Sequence, residues 1–167
     1  MDDGDIQVGR LRRLDDGFEG RIERLVEHDR DAIWRMLTEP QGLGQWLAPG
    51  TIELRPGGTV HIDFADSGTT IDSTVLALDP PQLLEYSWSS GNEPQRPMRW
   101  ELQPAGSATR LILTLRLPAG EDAAKACAGF EAHLEMLLAA LEGVPIRFPF
   151  DHFLKARQLY QNSLPQS

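Results

Sequence analysis

The sequence is poor in the residues that build metal clusters, disulfide frameworks and membrane spans. It contains one cysteine among 167 residues, which excludes an internal disulfide framework and a zinc or iron–sulfur site made from several cysteines. Because no run of about 18 apolar residues occurs, no transmembrane helix is predicted. No internal repeat or low-complexity segment is visible, so solenoid and collagen-like classes are excluded as well.

Basic residues are also scarce relative to acidic ones. Lys and Arg number 16 against 25 Asp and Glu, so the net charge at pH 7 is −9. A chain with this charge repels phosphate groups, which predicts that neither nucleic acid nor an anionic membrane is a partner. Residues 1–6 lack the basic and apolar regions of a signal peptide, so we expect a cytoplasmic protein.

The residues that are present predict one antiparallel sheet. From residue 51 to 118, apolar and polar residues alternate with a period of two, and turn signals such as Pro56-Gly57-Gly58 interrupt them at near-regular spacing. The first turn signal of the chain lies at 15–17. A strand is predicted after it over 19–27, and a partner strand is predicted before it over 7–14. A further strand is predicted over 51–55.

Helical spacing appears in four other places. Two short helices are predicted near 30–39 and 42–47, the first capped by Asp29 or Asp31 and ended by Pro40. The longest helix is predicted over 121–142, with Glu121 and Asp122 in its first turn. One apolar stripe runs along it: Ala123, Cys127, Phe130, Leu134, Leu137 and Leu141.

The end of the chain carries a last amphipathic helix. A connection rich in Pro and Phe, residues 146–150, leads into a predicted helix over 151–162. Its inner side is predicted to hold Phe153, Leu154 and Arg157. Apolar residues on this helix could dock on the same chain or on a second one, which leaves monomer and homodimer open.

The apolar face of the sheet and the stripe of the long helix must bury each other. We therefore predict an α+β fold in which a curved antiparallel sheet of about six or seven strands wraps around the long C-terminal helix. The two short helices follow the first long strand. One domain is predicted over 1–167, with its core at about 19–143.

Several short motifs occur between about Glu19 and Tyr160: Ile22-Glu-Arg24, Ile33-Trp34-Arg-Met-Leu37-Thr38-Glu39-Pro40 with Trp46, Pro56-Gly57-Gly58, Leu76-Ala-Leu-Asp79-Pro80-Pro81, Leu84-Glu-Tyr86-Ser-Trp88, Thr109-Arg110-Leu111 and Gly129-Phe130-Glu131-Ala132-His133-Leu134. As a set they resemble the motifs of one family, the AHSA1-like proteins, named for the activator of Hsp90 ATPase. Phe130 departs from the tryptophan usual in the family. The resemblance implies the helix-grip fold of the START/Bet v 1-like (SRPBCC) superfamily, in agreement with the periodicity.

A cavity between the long helix and the sheet is the candidate site. Helix-grip folds commonly enclose one, although the same side chains could simply fill the core. The candidate ligand-binding residues are Trp46, Phe64, Tyr86, Trp88, Trp100, Phe130, His133, Leu134 and Leu137. Tyr86 and His133 are its candidate polar anchors.

Other kinds of chemistry find little support in the sequence. The four histidines form no HExxH or HxH pattern, so no metal or cofactor is predicted. No nucleophile elbow occurs, and Cys127 lies on the apolar stripe, where a buried and inert thiol is expected. We predict no catalytic residue.

Three functions remain as hypotheses. The first is non-enzymatic binding of a small apolar or aromatic molecule in the cavity. The second, implied by the resemblance, is a protein-interaction, co-chaperone or regulatory module. The third and weakest is an enzyme of the polyketide cyclase/aromatase kind, which would need acid and base groups in the pocket. Only Tyr86, His133 and Glu101 are candidates for that role, and Glu101 has the wrong strand parity.

Overall fold

The computed structural model describes residues 6–64 and 67–164. Residues 1–5 and 165–167, the ends of the predicted domain, lie outside these ranges. Within the described residues the chain forms eight strands and four helices. In chain order they are β1 (Arg10–Leu14), β2 (Gly17–Val26), α1 (Arg30–Thr38), α2 (Pro40–Trp46), β3 (Gly50–Ile52), β4 (Thr59–Phe64), β5 (Thr69–Asp79), β6 (Leu83–Ser87), β7 (Pro97–Ala105), β8 (Ala108–Pro118), α3 (Ala123–Leu141) and α4 (Phe150–Ser163).

The strands form one sheet in the order β1-β2-β8-β7-β6-β5-β4-β3, and neighbouring strands are antiparallel. Strands β3 to β8 form a meander, and the N-terminal hairpin joins it through the pairing of β2 with β8. The predicted hairpin is confirmed, since Leu14 pairs with Gly17 across a two-residue turn. The eight strands exceed the six or seven predicted, and both edge strands are short.

Two edge strands differ from their predicted bounds. The first is Arg10–Leu14 rather than 7–14, and the third is Gly50–Ile52 rather than 51–55. Beyond Ile52 the chain turns, and the Glu53 carboxylate accepts a hydrogen bond from the Thr59 backbone N–H at 3.0 Å. The Glu53 backbone N–H still donates to the Thr59 oxygen at 2.8 Å, but the Glu53 side chain takes the place of its backbone oxygen as the acceptor for Thr59. The regular pairing of the strand therefore ends at Ile52.

The period-two pattern places the core on one face of the sheet. On β2, Phe18, Ile22 and Val26 are buried, whereas Arg21 and Glu23 between them are exposed. Trp100 on β7 pairs with Leu113 on β8, and both are buried on this same face. Because successive side chains point to opposite faces, this alternation fixes which face meets the helices.

The short helix α1 forms where its cap predicts, whereas α2 begins at Pro40, two residues before the predicted start at 42. The Asp29 side chain accepts a hydrogen bond from the Ala32 N–H at 2.8 Å, which satisfies one free donor of the first turn of α1. Pro40 then starts α2, at a position where a missing N–H has no cost. Both helices contribute buried residues to the core, including Ile33, Leu43 and Trp46.

The long helix α3 lies with its stripe inward, as predicted. Cys127, Phe130, Leu134 and Leu137 are all buried in the main core. Its start differs slightly from the prediction, because Asp122 is the N-cap, its side chain accepting from the Lys125 N–H at 3.0 Å, and Glu121 precedes the helix. The helix therefore begins at Ala123, two residues later than predicted.

The last helix, α4, packs against α3. Its buried residues are Ala156 and Tyr160, one turn apart. The prediction for its inner side was wrong at Leu154, which is 57% exposed. The direction in which α4 crosses α3 decides which residues of α4 face inward. The hydrophobicity of Phe153 and Leu154 does not reveal that direction. None of the described helices is long and apolar enough to cross a membrane.

Candidate functional site

A cleft with a volume of about 1030 Å³ lies beside α3. Four regions of the chain surround it: α3, the end of β4 with the start of β5, the connection between β6 and β7, and the segment that leads into α4. The cleft is open to solvent, in contrast to the closed chamber that a cavity between helix and sheet would give.

Aromatic side chains form most of the apolar wall of this cleft. They contact one another edge to face, as Trp88 does with Phe64 at 5.9 Å and with Phe130 at 5.0 Å between ring centroids. We call this set the aromatic wall; its members are Phe64, Trp88, Phe130, Phe148, Phe150 and Phe153. Edge-to-face contact is the favoured geometry of aromatic pairs, so the rings hold one another in place.

The nine residues predicted from the sequence divide into two groups. Phe64, Trp88, Phe130 and His133 line the cleft. The remaining five are buried in the core and do not line it; they are Trp46, Tyr86, Trp100, Leu134 and Leu137. These five fill the space between α3 and the sheet, so the space left open lies to one side of them.

Three residues of the aromatic wall were missing from the prediction, namely Phe148, Phe150 and Phe153. Phe148 lies 4.9 Å from Phe150 and 5.7 Å from Phe153 between ring centroids. The signal was present in the Pro- and Phe-rich segment 146–150, which we interpreted only as a connection. An unusual density of aromatic residues in a connection is itself a sign of a binding surface.

His133 joins the aromatic wall to the core. Its Nδ1 lies 3.0 Å from the backbone oxygen of Trp46, and its ring packs against Phe148 at 5.3 Å and Phe64 at 6.1 Å between centroids. Burial lowers the pKa of His133 below its ordinary value, although the hydrogen bond to Trp46 partly opposes that shift. The imidazole is therefore neutral at pH 7.

Charged groups at the rim of the cleft are engaged with one another. The Arg96 guanidinium forms two hydrogen bonds to Glu121, at 2.8 and 3.0 Å, and donates to the Trp88 backbone oxygen at 3.0 Å. The hydrogen bonds to Glu121 raise the pKa of Arg96. Asp122 accepts from Arg157 at 2.8 Å. These pairs fix the loop before β7 and the helix α4 against the start of α3.

The other acid and base candidates lie away from the cleft. Tyr86 is buried beneath it, where burial raises the pKa of its hydroxyl, although a hydrogen bond with Trp100 opposes the shift. Glu101 lies 3.7 Å from Arg99 on β7, and neither residue lines the cleft. Among the three residues considered for acid–base chemistry, His133 alone therefore faces the cleft.

A second group of polar residues, absent from our predictions, is buried on another side of α3. Glu131 is fully buried; its Oε1 accepts from Arg24, and its Oε2 accepts from the Tyr160 hydroxyl and from the Gly9 N–H, the latter at 2.8 Å. Cys127 lies near this carboxylate, and burial, with the charge of Glu131, raises the pKa of its thiol to about 12. The thiol is therefore protonated and unreactive, as its position on the stripe predicted.

Metal binding has no support in the described residues, where no group of three His, Cys, Asp or Glu side chains could hold an ion. The inward carboxylate Glu131 is occupied by hydrogen-bond donors, as described above.

Comparisons with known proteins place this geometry in a family. The model of a family described as Activator of Hsp90 ATPase homolog 1-like protein matches residues 27–142. No curated protein matches the chain. Among solved structures, CalU16 from Micromonospora echinospora is similar with a TM-score of 0.76 and 19% identity, over 94% of this chain and 95% of that one.

Two further solved structures are closer in sequence. The protein encoded by BPP1335 from Bordetella parapertussis has a TM-score of 0.73 and 28% identity, over 95% of this chain and 92% of its own. DynU16, a protein of the dynemicin biosynthetic locus, has a TM-score of 0.69 and 27% identity, over 76% of this chain and 48% of its own. These neighbours share the α+β helix-grip architecture of the START/Bet v 1-like superfamily, as the sequence predicted.

Proposed function

This chain belongs to the family of Activator of Hsp90 ATPase homolog 1-like proteins, and on that premise we propose that it binds a small apolar or aromatic molecule without transforming it. The ligand lies in the cleft beside α3, with its apolar surface against the aromatic wall. One observation carries the proposal: six aromatic rings line a cleft of about 1030 Å³ that remains open to solvent.

The exposure of these rings is the physical argument for a ligand. Phe150 is 66% exposed, and Phe148, Phe153, Phe64 and Trp88 are only partly buried. Burial of an aromatic or large aliphatic side chain contributes about 1.5–3 kcal/mol, and this free energy is available to a molecule that covers the rings. Small-molecule sites have volumes of about 300–1,000 Å³, so the cleft has room for a molecule of several fused rings.

The polar groups of the cleft favour binding over turnover. Arg96 is paired with Glu121, and Asp122 is paired with Arg157 and also caps α3. Groups engaged in this way are fixed in place and are poor proton carriers for a substrate. The genetic location of one structural neighbour supports the proposal. DynU16 is a protein of the dynemicin biosynthetic locus, and a biosynthetic locus produces an organic compound that a protein can bind.

A titration with the neutral solvatochromic dye Nile red tests the proposal. We expect saturable binding to the wild-type protein and energy transfer from its tryptophans, of which Trp88 lines the cleft, to the bound dye. The substitution Phe150→Ser removes an exposed ring, so it should leave the fold intact. Because that ring is part of the aromatic wall, its loss should raise the dissociation constant of the dye at least about tenfold. The matched control is Leu25→Ser, at a residue that is 61% exposed and does not line the cleft. Absence of dye binding, or equal affinities of the two variants, would overturn the proposal.

A second candidate is a protein-interaction or co-chaperone module, and one observation favours it. Large apolar residues are exposed along the segment 144–159: Val144, Ile146, Phe150, Leu154 and Leu159. A partner protein could cover this face of α4 and the connection before it. The test is the ATP turnover of a purified Hsp90 with and without the chain, and an unchanged rate would remove direct activation of that chaperone.

A further inference from the structure

The hydrogen bond of His133 determines which ring nitrogen carries its proton. Nδ1 lies 3.0 Å from the backbone oxygen of Trp46. A carbonyl oxygen can only accept, so Nδ1 must be the donor and must bear the hydrogen. In the neutral ring, Nε2 then has a lone pair and no hydrogen.

The fold holds the imidazole in this orientation. Trp46 is the last residue of α2, where backbone carbonyls have no partner within the helix, so its oxygen is available to His133. The Trp46 indole donates to the Met36 oxygen at 2.7 Å, which fixes the end of α2. The rings of Phe64 and Phe148 pack against the imidazole from the cleft side. The ring therefore cannot turn without losing a backbone hydrogen bond and two aromatic contacts.

Nε2 is available to a ligand. In the described part of the chain, the one hydrogen bond that His133 forms is through Nδ1. His133 is partly buried, and its Nε2 is not among the fully buried side-chain atoms of the described residues. Because His133 lines the cleft, this accessible atom is an acceptor within reach of a bound molecule.

We propose that the ligand of this cleft is an aromatic molecule that carries a hydroxyl or N–H donor, and that His133 Nε2 accepts that hydrogen bond. The inference rests on the proposed function and adds the chemical class of the ligand. A phenol or hydroxylated polycycle meets both requirements, since its ring lies on the aromatic wall while its O–H points to Nε2.

The charges near His133 do not supply an alternative partner. The titratable and charged groups that share its cleft are Glu93 and Arg96 from the connection between β6 and β7, and Asp122 and Lys125 from α3. Elements α2, β4 and α4 contribute rings and a backbone oxygen to its surroundings. Since Arg96 is paired with Glu121 and Asp122 with Arg157, neither competes with a ligand for His133 Nε2.

Two neutral probes test the inference: 2-naphthol, and 2-methoxynaphthalene, in which a methyl group replaces the hydroxyl hydrogen. They share a ring system, but the second lacks the donor. For the wild-type protein we expect 2-naphthol to bind more tightly by about twofold to tenfold, the range of one net hydrogen bond. In His133→Leu, the ratio of the dissociation constant of 2-methoxynaphthalene to that of 2-naphthol should fall, while binding of 2-methoxynaphthalene persists. His61→Leu, at an exposed position on β4 outside the cleft, is the matched control and should keep the wild-type ratio.

Acidification of the wild-type protein gives a second measurement that needs no variant. Protonation of His133 places a hydrogen on Nε2 and converts the acceptor into a donor, so the preference for 2-naphthol should disappear at low pH. Both probes stay neutral there, because a phenol ionises only near about pH 10.

The outcomes separate the two proposals. If neither probe binds, the proposed function fails and this inference fails with it. If both bind with equal affinity in the wild-type protein, or if the ratio is the same in His133→Leu and insensitive to acid, the cleft binds aromatic molecules but His133 does not select a donor. A ratio above one that is lost both in His133→Leu and at low pH supports the inference.

Discussion

Replacement of Glu131 by glutamine should destabilise this protein more than any comparable change on the surface of α3. The Glu131 carboxylate is fully buried and joins three separate parts of the chain to the helix. It accepts hydrogen bonds from Arg24 on β2, from Tyr160 on α4 and from the backbone N–H of Gly9 before β1. Glutamine has the same shape, but it has no charge and has one acceptor oxygen in place of two.

The magnitude follows from the groups that lose a partner. The Arg24 side chain is 18% exposed, so its charge is largely desolvated and depends on the carboxylate. Removal of one member of a buried ion pair costs about 3–5 kcal/mol. Because glutamine keeps one oxygen, we take the lower end, about 3 kcal/mol. For a chain of this size that corresponds to a fall in Tm of roughly 6–12 °C.

Urea unfolding followed by circular dichroism, together with a thermal scan, measures this effect. The matched control is Glu135→Gln, one turn further along α3 and half-buried, for which we expect a change within about 0.5 kcal/mol. Tyr160→Phe removes one donor and should fall between the two variants. Faster amide exchange in α4 of Glu131→Gln would locate the loss where Tyr160 is anchored. Equal stabilities of Glu131→Gln and Glu135→Gln would refute the assignment of the network as a tie between these elements.

Three further predictions concern single residues. The Cys127 side chain is buried, and the pKa of its thiol is raised to about 12. At pH 8 the thiol should therefore react with an aromatic disulfide reagent at least about a thousandfold more slowly in the native protein than in urea. A similar rate in both states would contradict its burial. A Cβ at Gly20 would lie 2.4 Å from the Cys127 sulfur, so Gly20→Ala should lower the free energy of unfolding measured in urea by about 1–3 kcal/mol. The double variant with Cys127→Ala should recover part of that loss. Strictly additive effects of the two substitutions would count against the clash. Burial lowers the pKa of His133 in the native state, so below pH 6.5 the unfolded chain takes up a proton that the native state resists, and stability falls with acid until the lowered native pKa is passed. His133→Gln should therefore show a shallower loss of urea midpoint below pH 6.5 than the wild-type protein, and parallel curves would refute this.

The comparison of sequence and structure is clearest at the helices. The stripe on α3 has a period that only a helix produces, and Asp29 with Pro40 marks the start and end of α1, so these elements could be predicted from local pattern. The inner face of α4 could not, and Leu154 is exposed for that reason. A short amphipathic segment has several faces of similar hydrophobicity, and the neighbour on which it docks chooses among them.

The candidate site was predictable only in part, again for a physical reason. Strand alternation identified Phe64 and Trp88 as inward side chains, and the helical stripe identified Phe130, with His133 at its edge. These four residues line the cleft. The same alternation marks Trp100 as inward, yet Trp100 fills the core beneath. Whether an inward-facing ring fills the core or lines the cleft depends on the volumes of the side chains opposite it, which come from distant parts of the chain.

The order of the elements, the face that each long element buries and the absence of a disulfide framework follow from composition and from periods of 2 and 3.6 residues. The position of the open cleft follows from the packing of the elements, since Phe148 and Phe150 reach it only through the docking of α4. The same packing brings Glu131 to Arg24 and Tyr160, which are 107 and 29 residues away along the chain. Contacts at such separations depend on packing in three dimensions, and no local pattern encodes them.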